Sequence, residues 1–179
     1  MGIMFDRILR CTMGCLVAAT LSPAARAEES VIAFVSGPLA GAMAEDVKQD
    51  QDNNLAERGT RMGESATFRS GGMLTYVGWA RLGGSYVWQD TGLNGLTDSV
   101  RKAFDASGAT VVSGDRGEIN GFKAQYRDVR LTGTPWRCGV FDLQRVSNSI
   151  VGFACRRDDR AVPIVAILEG LSIKGVIAP

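Results

Sequence analysis

The 179-residue chain contains no histidine. This absence excludes Ser-His-Asp and Cys-His catalysis, imidazole ligation of zinc and general-base catalysis by histidine. Glycine-rich phosphate loops are also missing, since neither G-x-G-x-x-G nor G-x-x-x-x-G-K-[ST] occurs in the sequence. The chemistry left to the chain is that of carboxylates, and Asp115, Glu118 and Asp142 are the candidates for a glycosidase-type pair. No positive sign supports such a pair, so the sequence predicts a protein that is not an enzyme and that uses no cofactor or metal.

An excess of one charge and a long hydrophobic run are lacking as well. The chain has 20 basic and 19 acidic residues, a net charge of +1, and so carries no overall signature of a nucleic-acid or acidic-membrane partner. Its first apolar run, residues 11–21, is shorter than the roughly 20 residues that a permanent transmembrane anchor needs. We therefore predict a protein partner in the cell envelope, no nucleic acid and no transmembrane anchor.

The first 27 residues have the pattern of an export signal. Arg7 and Arg10 precede the apolar run, and the small-x-small sequence 25–27 ends at Ala27, directly before Glu28. The sequence thus predicts cleavage between Ala27 and Glu28 and a periplasmic or secreted protein. Cleavage removes three arginines and one aspartate, which leaves 17 basic and 18 acidic residues and a net charge of −1.

Only two of the four cysteines, Cys138 and Cys155, remain after this cleavage. They lie in two apolar runs within residues 136–157, separated by a polar turn, a pattern typical of a β-hairpin. A turn centred on residues 146–147 places Cys138 opposite Cys155, Val140 opposite Phe153 and residue 143 opposite residue 150. A turn one residue later would place Cys155 opposite Val140. We favour the first register, in which cross-strand neighbours need only a small approach to form a disulfide.

The N-terminal part of the chain after residue 27 carries weaker signals for secondary structure. Residues 31–35 are β-branched and aromatic and predict a first strand. The polar stretch from Leu39 to Arg61 indicates either a loosely docked helix or a mobile arm, and the pattern does not choose between them. We accordingly divide the chain into a signal peptide (1–27), an N-terminal strand with a polar arm (28–69) and a single α+β domain (70–179).

Residues 73–89 predict a second hairpin, with its turn at Gly83-Gly84. Pairing outward from this turn places Trp79 opposite Trp88 and Arg81 opposite Tyr86. The four side chains share one face, and we treat them as the candidate contact surface for a ligand or partner. The alternative is that this face belongs to the core of the sheet, with the arginine at its margin.

The second half of the chain alternates between clear signals for strands and helices. Residues 96–108 predict a helix capped by Thr97 or Asp98, and residues 161–171 predict a closing helix. Between them the Asn120-Gly121 turn joins two strands, residues 109–119 and 122–131, ahead of the disulfide hairpin. The predicted fold is α+β, an antiparallel meander of about six strands, including the N-terminal hairpin, packed against two helices.

This order of elements resembles the PsbP and DcrB group of exported α/β sandwich domains. The resemblance covers roughly residues 73–174, including the strand SIVGFACR at 149–156 and the final helix running into residues 171–174. It implies a non-enzymatic accessory or assembly protein, and it transfers no functional residue. We therefore expect a periplasmic accessory or binding protein. The alternatives are a structural subunit of an envelope or secretion assembly and, more remotely, a carboxylate-dependent hydrolase.

Overall fold

The structure, a computed structural model, describes residues 29–55, 59–83 and 92–178. These residues form nine β-strands, which are β1 (Ile32–Phe34), β2 (Ala44–Leu55), β3 (Gly59–Ser70), β4 (Met73–Leu82), β5 (Gly108–Ile119), β6 (Phe122–Thr132), β7 (Arg137–Arg145), β8 (Asn148–Arg156) and β9 (Leu171–Ile173). They also form the helices α1 (Leu93–Ala103) and α2 (Ile164–Glu169) and a short 3-10 helix, Gly37–Leu39. The α+β class is confirmed, with more strands than the six predicted. The predicted signal peptide lies outside the described residues.

Seven strands form one antiparallel sheet in the order β2-β3-β4-β8-β7-β6-β5. The two remaining strands, β1 and β9, pair with each other in a small antiparallel sheet. Neighbouring strands of the large sheet are also consecutive in the chain, except that β4 lies beside β8. The predicted boundary between residues 69 and 70 falls at the last residues of β3, just before the turn to β4, its neighbour in this sheet.

Each face of the large sheet carries its own hydrophobic core. On β7, Phe141 and Leu143 point into the larger core, which α2, β1 and β9 cover. Cys138 and Val140 alternate with them and belong to the smaller core, which α1 covers. All four side chains are fully buried, and burying a large apolar side chain contributes about 1.5–3 kcal/mol to folding. The central strands are thus buried on both faces, and the helices lie on opposite sides of them.

The disulfide hairpin is confirmed in its predicted register. Strands β7 and β8 pair Cys138 with Cys155, Val140 with Phe153, and residue 143 with residue 150. A disulfide joins the two cysteines, and both are fully buried in the smaller core. At the turn, Val146 has a positive φ of 46°.

The Asn120-Gly121 turn is confirmed as well. Both residues have positive φ, 52° and 73°, as the turn type favoured in two-residue hairpins requires. The turn joins β5 to β6 and places Glu118 opposite Lys123, a cross-strand pair of opposite charges.

The polar stretch from residue 39 to residue 61 is neither a docked helix nor a mobile arm, so both predicted alternatives were wrong. Most of it forms β2 and the start of β3, which pair with each other at the edge of the large sheet. The pairing is irregular between Glu45 and Lys48, where Asp46 has a positive φ of 50°. Ala44 and Val47 of β2 pack against the larger core, but the other side chains of residues 44–51 are exposed. The sequence pattern therefore did not reveal the strand.

Strand β4 does not form the hairpin predicted across Gly83-Gly84, so this prediction was wrong. Both edges of β4 are already paired, one with β3 and the other with β8. Trp79 accordingly lies opposite Glu64 and Ile150 and not opposite Trp88. Residues 84–91, which include the predicted partner positions, lie outside the described residues.

Both predicted helices have different bounds in the structure. Helix α1 begins after Gly92, so Thr97 and Asp98 lie inside it and do not cap it. Asp98 instead forms an ion pair with Lys102, one turn later in the helix. Helix α2 is only six residues long, because residues 171–173 leave it to form β9, which pairs with β1 and is fully or nearly fully buried.

Candidate functional site

A cleft of about 610 Å³ lies between α2 and the neighbouring strands β5 and β6. Its apolar wall comes from the segment leading into α2 and from α2 itself, and includes Val162, Pro163, Ile164 and Ala166. Its polar groups come from β5, β6 and the end of α2, namely Ser113, Asp115, Tyr126, Asp128 and Glu169. This concave surface is the candidate functional site.

Helix α2 sits close to the sheet at the floor of the cleft because Gly139 leaves room for it. A Cβ atom at Gly139 would lie 2.9 Å from the Cδ1 atom of Ile164. Ile164 is the first residue of α2, and Pro163 before it occupies the N-cap position. The Ile164, Ile167 and Leu168 side chains then bury themselves in the larger core, which fixes the helix against the sheet.

Asp115 and Tyr126 form a direct cross-strand pair on the wall of the cleft opposite α2. Partial burial, the charge of the nearby Asp115 carboxylate and a hydrogen bond to it together raise the pKa of Tyr126 above its ordinary 10.0. The Asp115 carboxylate also accepts the backbone N–H of Arg116 at 2.8 Å. These contacts hold the carboxylate at the cleft wall while leaving it acceptor sites for a ligand, because an ionised carboxylate accepts about four hydrogen bonds.

Asp128 contributes a second carboxylate, but its charge is compensated. The Nε atom of Arg137 donates to Oδ1 of Asp128 at 2.9 Å, and both side chains are only 13% exposed. The hydrogen bond to Asp128 raises the pKa of Arg137, against the opposing effect of burial. A partly buried, multiply bonded pair of this kind is a fixed structural element, so Asp128 shapes the end of the cleft and adds little net charge.

The charged segment 156–160 lies beyond this pair and forms a rim of ion pairs. Arg130 binds Asp159 through two hydrogen bonds of 3.0 and 3.1 Å, and Arg156 and Arg160 both pair with Asp158. The hydrogen bond from Arg160 and, after it, that from Arg156 lower the pKa of Asp158. The rim is therefore an ionic network at the surface.

The uncompensated charge of the cleft comes from Asp115 and Glu169. Neither carboxylate forms an ion pair within the described part of the chain. Arg127 also lines the cleft, but its guanidinium group donates to Asn94 of α1 at 2.6 Å. The cleft thus combines an apolar wall with net negative charge, an arrangement suited to a ligand with an apolar body and a cationic or hydrogen-bond-donating group.

Two of the four residues of the predicted contact surface, Trp79 and Arg81, lie within the described structure, two positions apart on β4. Trp79 is half-buried, packs against the larger core and donates from Nε1 to Asn148 at 3.2 Å. Arg81 is exposed at the end of β4. Tyr86 and Trp88 lie outside the described residues. The contacts of Trp79 support the alternative interpretation, in which it belongs to the core of the sheet. Binding of a ligand or partner by the four-residue contact surface remains a prediction.

The three candidate catalytic carboxylates are also separated. Asp115 faces the cleft, three residues along β5 from Glu118, and Glu118 does not line the cleft. Asp142 is fully buried on β7, on the face that carries Cys138 and Val140. The sequence analysis did not identify Glu169 or Tyr126 as residues of the site. The one available signal was for Glu169, a carboxylate near the end of a predicted amphipathic helix.

No protein-family model matches the sequence, and comparisons with curated proteins and with solved structures find no significant match. Among the described residues, none of the helices has the length and apolar character needed to cross a membrane. Within the same ranges there is no group of three or more histidine, cysteine, aspartate or glutamate side chains placed to hold a metal ion.

Proposed function

We propose that this protein is a non-enzymatic accessory or binding protein of an oxidising compartment outside the cytoplasm, periplasmic or secreted after cleavage between Ala27 and Glu28. The disulfide between Cys138 and Cys155 supports the compartment, because such bonds persist where the surroundings are oxidising. The lack of histidine supports a binding role, because it removes the side chain that most often transfers protons in catalysis. The resemblance to the PsbP and DcrB group leads to the same role.

The observation that carries the proposal is the position of the cleft beside an open sheet edge. Strand β5 pairs with β6 on one side, and no described strand pairs with its other side. Residues 110–118 of β5 are all exposed. An extended segment can add to such an edge through backbone hydrogen bonds, and pockets beside the edge then accept its alternate side chains. The cleft between β5 and α2 is such a pocket, so the favoured ligand is an extended segment of a partner protein.

The charge of the cleft indicates which segment binds. Asp115 and Glu169 supply negative charge without ion-pair partners among the described residues, and the wall around Pro163 is apolar. A lysine or arginine side chain satisfies both features, since its aliphatic stem packs on apolar surface while its charged end reaches a carboxylate. We therefore favour a partner segment in which basic and apolar residues alternate.

Fluorescence anisotropy with two labelled peptides tests this proposal. One peptide alternates lysine with valine, and the other alternates glutamate with valine. The basic peptide should bind the mature protein and the acidic one should not, with binding weakened by salt because exposed charges are screened. The double variant Asp115→Asn/Glu169→Gln should weaken binding of the basic peptide about fivefold.

Glu118→Gln is the matched control, because it removes the same charge from the same strand outside the cleft. It should leave the affinity within about twofold of the parent protein. Equal affinity for both peptides, or an equal loss in the Glu118→Gln protein, would show that the cleft does not select a basic segment. Backbone amide shifts on β5 and α2 give an independent map of where the peptide binds.

A structural subunit of an envelope or secretion assembly is the second candidate function. The observation that favours it is the other edge of the sheet, where no described strand covers β2, and where the nearby Met43 side chain is 83% exposed. If the protein assembles through this edge, the backbone amides of β2 should exchange their hydrogens slowly only at concentrations at which the protein oligomerises. Equal exchange across the concentration range would exclude self-assembly through β2.

A further inference from the structure

The open edge of β5 has a backbone amide at its centre that points away from the sheet. In an antiparallel pair, residues that bond to the neighbouring strand alternate with residues whose backbone groups face the other way. Ile119 and Phe122 flank the two-residue turn as a bonded pair, so Asp115, four residues before Ile119, also directs its backbone groups to β6. Arg116 therefore directs its N–H to the open edge.

This N–H is already occupied by a side chain of the same strand. The Oδ1 atom of Asp115 accepts it at 2.8 Å, in the place that a carbonyl oxygen of an added strand would need. The pairing of β5 with β6 is regular from residue 113 to residue 119, where the outward-facing positions are 114, 116 and 118. The cap thus lies at the middle position, and charged side chains of this kind protect open edges from unwanted pairing.

We propose that Asp115 is the specificity-determining residue of this edge: its carboxylate keeps the edge closed until a basic side chain of the bound segment draws it away from Arg116. This inference rests on the proposed function, which places an extended basic segment along β5. In an antiparallel arrangement the segment residue opposite Asp115 shares its face, at a position where the Cα atoms are only about 4.5 Å apart. A lysine or arginine at that position therefore reaches the carboxylate.

The exchange of hydrogen-bond partners favours a basic segment over a neutral one. With a basic side chain opposite, the Asp115 carboxylate gives up a neutral N–H and gains a bond in which both partners are charged. The freed N–H of Arg116 then donates to a carbonyl oxygen of the segment. A neutral segment offers no cation in return, so the carboxylate stays on Arg116 and the added strand lacks its central hydrogen bond. The edge therefore selects by closing itself to unsuitable segments as well as by attracting suitable ones.

Two neutral substitutions separate the cap from the charge. Asp115→Asn keeps an oxygen that can accept the Arg116 N–H, whereas Asp115→Ala removes it. Hydrogen exchange, corrected for the intrinsic rate of each sequence, should be about fivefold faster at the Arg116 amide in the Asp115→Ala protein than in the Asp115→Asn protein. The amide of Glu118 also points outward and should exchange equally in both proteins, so it is the internal control. Asp115 is exposed, so both proteins should fold like the parent.

Peptide binding tests the selectivity itself. A neutral peptide that alternates threonine with valine and a basic peptide that alternates lysine with valine are titrated into the parent protein and both variants. The neutral peptide should bind the Asp115→Ala protein about fivefold more tightly than it binds the parent or the Asp115→Asn protein. The advantage of the basic over the neutral peptide should be about tenfold in the parent protein and within about threefold in the Asp115→Ala protein.

The two measurements distinguish this inference from the proposed function. Equal exchange at the Arg116 amide in the two variant proteins, or equal affinity of the neutral peptide for all three proteins, overturns the inference. If the basic peptide does not bind the parent protein, the proposed function fails, and the exchange rates then still decide whether Asp115 caps the edge.

Discussion

Removal of the Cys138–Cys155 disulfide should destabilise the mature protein by about 3 kcal/mol. The bond closes a loop with a sequence separation of 17 residues, and the loop-entropy model gives about this value for such a length. Both cysteines are fully buried in the smaller core, so replacing them also alters packing. The double variant Cys138→Ala/Cys155→Ala therefore measures the bond together with the lost sulfur contacts.

Equilibrium unfolding in urea, with and without reductant, separates these two effects. Reduction of the parent protein breaks the bond but keeps both sulfur atoms, so its midpoint should fall by about 1–3 M urea at the usual dependence on denaturant. The double variant should fall at least as far, and reductant should not change it further. A protein produced from residue 28 onward contains no other cysteine, so the double variant is a complete control for the reductant.

Equal urea midpoints for the reduced and oxidised parent proteins would contradict this prediction. That result would mean that the paired strands hold the hairpin in the unfolded ensemble without the bond. A different observation bears on the compartment: free thiols at both positions in protein recovered from its native location would remove the main support for an oxidising environment.

Two further perturbations test the packing and the cleft. Gly152→Ala would place a Cβ atom 2.1 Å from the carbonyl oxygen of Tyr76 and 2.6 Å from the ring of Phe141. Overpacking of this kind costs about 1–3 kcal/mol, so calorimetry should show a lowered unfolding temperature. The control Gly117→Ala, whose Cβ would have nothing within 4 Å, should not lower it. The pKa of Tyr126 is raised above 10.0 by burial and by the neighbouring carboxylate on β5, so its neutral form stabilises the fold below about pH 10, and this contribution is lost as the pH rises through the folded pKa. Ultraviolet titration, with Tyr126→Phe as the reference, should show late ionisation of this group, and an unshifted titration would contradict the contact.

Several local features of the fold could be predicted because neighbouring residues decide them. The Asn120-Gly121 turn needs positive φ at two successive positions, and few other residue pairs adopt this. The register of the disulfide hairpin follows from a polar turn with one cysteine at the same distance on each side. In both cases the interacting residues are close in the chain, so the pattern contains the information.

Strand β2 could not be predicted, for a physical reason. Its residues Glu45, Lys48 and Asp50 are exposed, so no apolar alternation marks it as a strand. It is extended because β3 offers hydrogen-bond partners along its length. The predicted pairing of Trp79 with Trp88 was wrong for a related reason. Ile150 of β8, far away in the chain, lies opposite Trp79 on the edge of β4 where the Gly83-Gly84 turn would have placed Trp88.

The order of the amino acids is enough to give the absence of histidine chemistry, the cysteine pair with its register, the β5–β6 and β7–β8 turns and the α+β class. Tertiary structure alone decided the order of the strands, the position of α2 against Gly139 and the cleft that brings Asp115 and Glu169 to one surface. The physical reason is distance along the chain: turns and cross-linked hairpins depend on residues a few positions apart. The cleft depends on segments that meet only when the whole sheet has formed.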